Sequence, residues 1–330
     1  MHDKKTMISV IIPVYNGGKH LQNLMDCLCV QTLTDFEVLF VDDGSTDETA
    51  EKLEQICEQT LPFRVLVTHQ KNAGVSAARN CGLSQASGDY VCFVDVDDRI
   101  SKDYLELLFQ AVCSTKKNVA MGYITRELAE LQDRSGAEPI VVSKNDFLRE
   151  FLNRGIRFSI CAGIFSRKCL EQYGLKFPVG YRYSEDVYFL WQLFAQEDAL
   201  AVLPCAIYYY YDNPVSAMNR KMDLNRLQAI ELMRKLEPVM RENAPEFSDE
   251  FCRYAVARHH WSILWQAARR LASYSEFQQY CSHFEMKKEL KKLYSYPQKS
   301  ISWSSRLFGT SSWLYYHMLR GYVRLTNHKN

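Results

Sequence analysis

The chain has 330 residues, 47% of them apolar and 24% charged, with a formal net charge of +1. That balance is ordinary for a globular protein with a sizeable core, allows about two domains, and gives no reason to expect a nucleic-acid partner. The charge is uneven, because from Glu285 onward nine Lys and Arg stand against two Glu, which suggests an anionic surface for the tail. In chain order, short apolar runs at 8–14, 36–41, 63–68 and 90–94 read as strands buried on both faces. Helical patterns lie between them at 19–30, 46–58 and 75–86, and another follows at 102–113. Repeated βαβ units of this kind imply a parallel sheet, whose ligands bind beyond the carboxyl ends of its strands. From 119 to 214 the pattern is mixed, with strands at 119–124, 159–165, 199–202 and 206–211 and helices at 144–153 and 185–195. Beyond Asp223 it is helical throughout, at 224–241, 246–272, 274–294 and near 312–326.

The residues able to carry chemistry gather where the strands end. Phe93-Val94-Asp95-Val96-Asp97-Asp98 is an apolar strand that presents three carboxylates within four residues. Like charges so close shift one another's pKa values, and a hard divalent cation gripping phosphates is the simplest partner for them. Capping of the next helix is the plainer role for Asp97 and Asp98, but Ser101 is the better cap. In Asp42-Asp43-Gly44-Ser45-Thr46-Asp47-Glu48, Ser45 and Glu48 have the spacing of a capping box and Asp47 suits the helix dipole. Asp42 and Asp43 precede that turn, and a carboxylate there can accept from the N–H of a nucleotide base. Tyr15, between Val14 and Asn16, stands at the mouth of the first strand, where an aromatic can stack on a base. The stretch from Asn72 to Gly82 is rich in Gly and Ala, which permits close approach of a ligand, and Arg79 could reach phosphate or base. Tight packing on the sheet explains those alanines but not Asn72 and Asn80. Tyr183-Ser184-Glu185-Asp186 opens a helix whose dipole favours acids, yet a second acidic pair is also what a metal site needs as a base partner. Tyr208 to Tyr211 alternate as a strand does, and Ser216 and Arg220 could touch a diphosphate.

Together these segments resemble the large family 2 of inverting glycosyltransferases, which has the GT-A fold. The likeness is carried by Val10-Ile11-Ile12-Pro13-Val14-Tyr15-Asn16, Gln31-Thr32, Val41-Asp42-Asp43-Gly44-Ser45-Thr46-Asp47, Asn72-Ala73-Gly74, Ala78-Arg79-Asn80-Cys81-Gly82, Gly88-Asp89-Tyr90, the 93–98 stretch and Ser184-Glu185-Asp186. It implies an α/β protein with a Rossmann-type, mostly parallel sheet flanked by helices. Residues 1–120 would be the donor-binding half, 121–220 the acceptor-side half with the catalytic base, and 221–330 a helical C-terminal extension. Tyr15 would stack on the base of a nucleotide-sugar donor, typically uracil, with Asp43 accepting its ring N–H and Arg79 assisting; Pro13, Asn16, Asn72 and Glu185 complete the donor contacts. Asp95-Val96-Asp97 looks like the family's DxD motif: Asp97 would coordinate Mn2+ or Mg2+ bridging the diphosphate, Asp95 would contact ribose or metal, and Asp98 is a rival for the metal. Asp186 would be the general base that deprotonates a hydroxyl of a glycan or lipid-linked acceptor, and a single displacement inverts the sugar. Two other readings stay open. A nucleotidyltransferase would need a basic glycine-rich phosphate loop, of which Tyr15-Asn16-Gly17-Gly18-Lys19 is a poor version. An inactive nucleotide-sugar-binding protein is disfavoured because donor, metal and base positions are all filled.

The eleven cysteines include no CxxC pair; Cys27, Cys29, Cys92 and Cys161 read as small buried hydrophobes in a reducing compartment. Met1–Thr6 is polar, so no signal peptide is expected, and no stretch reaches the ~18–20 apolar residues that span a bilayer. The expected location is cytoplasmic. In the tail, Trp313, His317, Arg320 and Arg324 share one helical stripe, while Leu314, Met318, Leu319, Tyr322, Val323 and Leu325 cover the rest. With Trp303, Leu307 and Phe308 before it, the tail reads as interface-seeking and suited to peripheral contact with the inner face of a membrane, against packing on the protein itself or on another subunit.

Overall fold

A computed structural model of the chain describes residues 7–131, 137–153, 158–211, 222–283 and 285–327. The chain forms two compact units, the first comprising residues 1–181 with 185–214 and the second 182–184 with 215–330. At the centre of the first unit lie β1 (Ile8–Val14) and β2 (Phe36–Asp42), each buried at all seven positions. Such strands need cover on both faces, and α2 (Thr49–Cys57) and α3 (Val75–Gln85) pack against this part of the sheet. Parallel ladders join β3 (Arg64–His69), β2, β1 and β4 (Tyr90–Phe93) in that order. The sheet then changes character. β8 (Gly163–Ser166) runs antiparallel to both β4 and β6 (Val119–Thr125), and β6 pairs in parallel with β9 (Ala199–Tyr209). Short β5 (Arg99–Ile100) and β7 (Ile140–Ser143) flank β9 and complete a nine-stranded sheet. The fold is α/β, as the alternating pattern implied.

Several local expectations need correction. Helix α2 begins at Thr49, and the Ser45–Glu48 capping box does not form: Ser45 Oγ accepts from the Asn16 N–H at 2.9 Å, while Asp47 Oδ1 accepts from the Thr49 N–H at 3.0 Å. Tertiary pairing of the two loops takes the hydroxyl that local spacing assigned to a cap. Ser101 does not cap with its side chain either. Helix α4 (Tyr104–Thr115) starts later, the Ser101 carbonyl accepts from the Tyr104 N–H, and the buried Ser101 hydroxyl has no partner among the described residues. The two strands read at 199–202 and 206–211 are one strand. Pro204 and its neighbours interrupt the apolar pattern, but the ladder absorbs them in a register shift between the Met121–Val202 and Tyr123–Ala206 pairs. Cys92 and Cys161 are buried, whereas Cys29 is exposed, and all eleven cysteines are free thiols.

The second unit is helical. Its axis is α9 (Pro245–Arg270), against which α8 (Gln228–Asn243), α10 (Tyr274–Cys281), α11 (Met286–Lys291) and α13 (Ser312–Asn327) pack, with α12 (Lys299–Thr310) bridging α11 and α13. The single helix read over 274–294 is therefore two, broken before Met286. Pro245 sits in the first turn of α9, where its missing N–H costs nothing. Ser273 and Glu276 form a true capping box on α10. Among the described residues no helix is long and apolar enough to cross a membrane.

Candidate active site

The parallel strands β1, β2 and β4 end side by side, and the loops that leave them hold the acids. Pro13 lies buried inside β1 opposite Val41, so it shapes the strand and offers a donor no side-chain surface. Tyr15, one residue beyond the strand, is 48% exposed. Asn16 takes a left-handed φ of 50°, which its short polar side chain tolerates. Its Oδ1 accepts from the Thr46 N–H at 2.8 Å, tying the first loop to the second. The flat ring of Tyr15 is thus held out from a fixed backbone.

Two adjacent acids at the end of β2 do different work. Asp42 accepts from the Ser45 N–H at 3.0 Å and from His69 Nδ1 at 2.8 Å, while His69 Nε2 lies 2.8 Å from Glu54. Burial pushes the Asp42 carboxyl up, but the hydrogen bonds from Ser45 and His69 outweigh it and leave it below its ordinary value. The hydrogen bonds to Asp42 and Glu54 raise the pKa of His69 in turn, because an acceptor at each ring nitrogen favours the doubly protonated ring. Asp43 is buried, and its carboxylate takes three donors at 2.8 Å: Gln70 Nε2, the Ala73 N–H and the Gly74 N–H. It thereby shapes the 70–74 loop, on which Asn72 is exposed. Gly44 is required where it stands, since its φ is +70° and a Cβ there would come within 2.8 Å of the Asn72 nitrogen.

Arg79 is the hub of the site. Helix α3 carries it, its side chain is 4% exposed, and it donates from Nη2 to Asp95 at 2.9 Å and from Nη1 to Glu185 at 3.3 Å. The guanidinium also lies over the Phe177 ring, 5.4 Å from its centroid. Burial disfavours this charge, but Asp95 first, then Glu185 and Asp186, more than compensate and hold the proton more firmly than usual. Arg79 Nε has no partner among the described residues. Asn80, next along α3, donates to the Phe177 carbonyl at 2.9 Å and accepts from its N–H at 2.8 Å. That clamp accounts for an asparagine which tight helix packing left unexplained.

The acids of the 95–98 stretch separate cleanly. Asp98 is 3% exposed; Oδ2 accepts from the Tyr208 hydroxyl at 2.6 Å and Oδ1 from the Tyr211 N–H at 2.8 Å. The Asp95 N–H donates to the same Tyr208 hydroxyl at 3.1 Å. Burial, followed by repulsion from Asp95, pushes the Asp98 carboxyl up to about 8. Its two oxygens fasten the loop to β9 and to the residue two beyond its end. Asp95 and Asp97 are half-buried. Asp97 lies within electrostatic reach of His20, whose pKa burial lowers and Asp97 opposes. Helix α7 (Glu185–Gln196) brings in the second acidic pair, preceded by Ser184 at a φ of 64°. Burial, reinforced by Asp186, pushes the Glu185 carboxyl up to about 7, with Arg79 opposing. Asp186 accepts from the Val187 N–H at 2.7 Å and is half-buried. Among the described residues no trio of His, Cys, Asp or Glu forms a ready-made metal cage. Ser216 and Arg220 lie outside the described residues. Gln70, His69, Phe177 and Tyr208 are the members that motif reading missed or left vague; each acts through a contact at long sequence separation, and only the alternation of the tyrosines hinted at one of them.

An α/β sheet with acids in the loops at its strand ends, those of two segments joined through Arg79, is a scaffold on which ligand-binding enzymes place their sites. The match to known proteins narrows that class. Residues 9–173 match the model of glycosyl transferase family 2, and the chain is 30% identical over 268 residues to the uncharacterized glycosyltransferase YibD of Escherichia coli, covering 76% of this chain and 77% of that protein. The chain belongs to glycosyl transferase family 2 and is a glycosyltransferase. Glycosyltransferase GlyA of Streptococcus pneumoniae is 43% identical over 115 residues, a stretch that covers 35% of this chain and only 16% of GlyA. Among solved structures, S. aureus TarS 1–349 in complex with UDP-GlcNAc superposes with a TM-score of 0.70 at 21% identity, covering 97% of this chain and 92% of that one. The mannosyltransferase PcManGT from Pyrobaculum calidifontis, in complex with GDP-Man and Mn2+, has a TM-score of 0.54 at 15% identity, covering 98% and 88%. These likenesses at low identity establish the shared fold.

Proposed function

We propose that the protein is a metal-dependent, inverting glycosyltransferase that moves a sugar from a UDP-sugar to a hydroxyl of a glycan or lipid-linked acceptor, in the synthesis of a cell-surface polysaccharide or glycolipid. The observation that carries this reading is the Arg79 hub, a buried cation joining the DxD segment at Asp95 to the base segment at Glu185. Such a link fixes the distance between the part that binds a donor and the part that activates an acceptor. On the donor side, the exposed ring of Tyr15 suits stacking on a base, and Asp43 fixes the 70–74 loop.

The donor set fits a hard divalent ion. Asp95 and Asp97 offer carboxylate oxygens, and Mn2+ or Mg2+ is commonly held by one or two of these together with substrate phosphates. Asp98 is committed to Tyr208 and Tyr211, so Asp97, with Asp95, is the pair to hold the ion. When bound, the ion supplies charge neutralisation at the departing nucleoside diphosphate. Asp186 then takes the proton from the acceptor hydroxyl as that oxygen attacks the anomeric carbon from the face opposite the diphosphate. Burial and the neighbouring Asp186 push the Glu185 carboxyl up, which favours its neutral form and limits the negative charge gathered beside Asp186. A thermal-shift screen of nucleotide sugars tests this reading. A UDP-sugar with Mn2+ should raise the melting temperature, as ligand binding to the folded state requires, and EDTA should remove the gain. Equal shifts with and without the metal would discard the metal assignment.

A further inference from the structure

The outward face of α13 differs from an ordinary solvated helix surface. On α8 the exposed positions are Glu231, Arg234, Lys235, Pro238, Arg241 and Glu242. Among the α13 residues whose side chains are described they are Trp313, Leu314, His317, Met318 and Tyr322, with Trp313 54% and Tyr322 57% exposed. Leu314, Met318 and Tyr322 recur every fourth residue, so they line one stripe about 12 Å long. Trp313 and His317 stand beside it with ring centroids 4.2 Å apart. The helix cannot roll to hide this stripe, because its other face is already filled. Tyr315 packs on Phe277 and Phe308, Tyr316 donates its hydroxyl to the Leu271 carbonyl at 3.0 Å, and Arg320 donates to the same carbonyl at 2.7 Å. On α12, Trp303 is 56% exposed. The tail of the sequence is also basic: residues 290–330 include seven Lys and Arg and no Asp or Glu.

We propose that this face of α13 docks on an anionic phospholipid surface, its Trp and Tyr at headgroup depth and its Leu and Met below them, with the basic residues of the helical unit facing the lipid phosphates. A second copy of the chain fits less well, since a two-fold contact would set one basic tail against another. The inference stands apart from the transferase reading, because lipid binding needs neither donor nor metal.

The test uses the full chain and sedimentation with vesicles of phosphatidylcholine alone or mixed with phosphatidylglycerol. Binding should require phosphatidylglycerol and weaken as salt screens the charges. Trp313→Ser with Met318→Ser should lower partitioning by about tenfold or more, since each such side chain contributes most of a tenfold factor or beyond on leaving water. Trp313→Phe should keep most of the binding, and Lys291→Gln with Lys299→Gln should lower it only on phosphatidylglycerol. Unchanged circular dichroism and melting temperature would show the variants folded. Equal binding to both vesicle types, or none to either, would overturn the proposal. So would a serine double variant that binds vesicles as before, or one that instead abolishes self-association in analytical ultracentrifugation.

Discussion

At the scale of single residues, Arg79 bears the most consequence. It neutralises two carboxylates from segments 106 residues apart in one case and 16 in the other, and breaking such a buried pair leaves its partners uncompensated. Arg79→Met should therefore destabilise the fold by about 3 kcal/mol, read by urea denaturation. A cost near zero would mean that Asp95 and Glu185 do not depend on it. Asp97 and Asp98 should part company on substitution. Asp97→Asn should lower donor turnover by about a hundredfold with little change in stability, the scale on which removal of one preorganised electrostatic group acts. Asp98→Ala should cost about 2–3 kcal/mol of stability by orphaning the Tyr208 hydroxyl and the Tyr211 N–H. If Asp98→Ala were stable yet metal-insensitive, the two assignments would have to be exchanged. The sequence brought these neighbours forward together but offered no means to tell them apart, because the partner that claims Asp98 lies 110 residues away.

At the scale of elements, the alternation of apolar runs with helical patterns was enough to place β1, β2, β4 and the helices between them. What local reading misjudged were the joints. Ser45 looked like a cap but is engaged by Asn16, and Asn80, which helix packing left unexplained, clamps Phe177. Both are polar side chains whose partner is chosen by tertiary packing, which spacing along the chain does not encode. The short β5 and β7 strands escaped notice because they exist only as neighbours of β9. The Asn80 clamp can be tested: Asn80→Ala should cost about 1–3 kcal/mol, the penalty for leaving a buried backbone N–H and carbonyl unpaired, measured by chemical denaturation. An unchanged midpoint would show that water serves Phe177 equally well.

At the scale of the whole molecule, the family was legible in the ordered set of motifs across the first unit, while the helical unit carried no such motif and is joined by apolar packing together with hydrogen bonds such as those of Tyr316 and Arg320 to the Leu271 carbonyl, which spacing along the chain does not encode. Among the described groups that hold their protons more firmly when folded, three bear on the neutral range: Asp98, raised to about 8, Glu185, raised to about 7, and His69, raised above its ordinary value. A raised folded pKa contributes stability at low pH that is lost as pH rises through that value. The melting temperature in EDTA should thus fall as pH climbs from 6 to about 8.5, and His69→Gln should flatten part of that decline. A midpoint that rises over this window would contradict the burial assigned to Asp98 and Glu185 and the hydrogen bonds assigned to His69. The most direct test of the central claim is UDP release and donor affinity measured side by side for the wild type and Asp186→Asn, with UDP-sugars, acceptor and Mn2+. The account predicts that the variant binds donor about as well but releases UDP at least about a hundredfold more slowly, as loss of a general base demands. Release at the wild-type rate, or loss of donor binding equal to the loss of release, would contradict it.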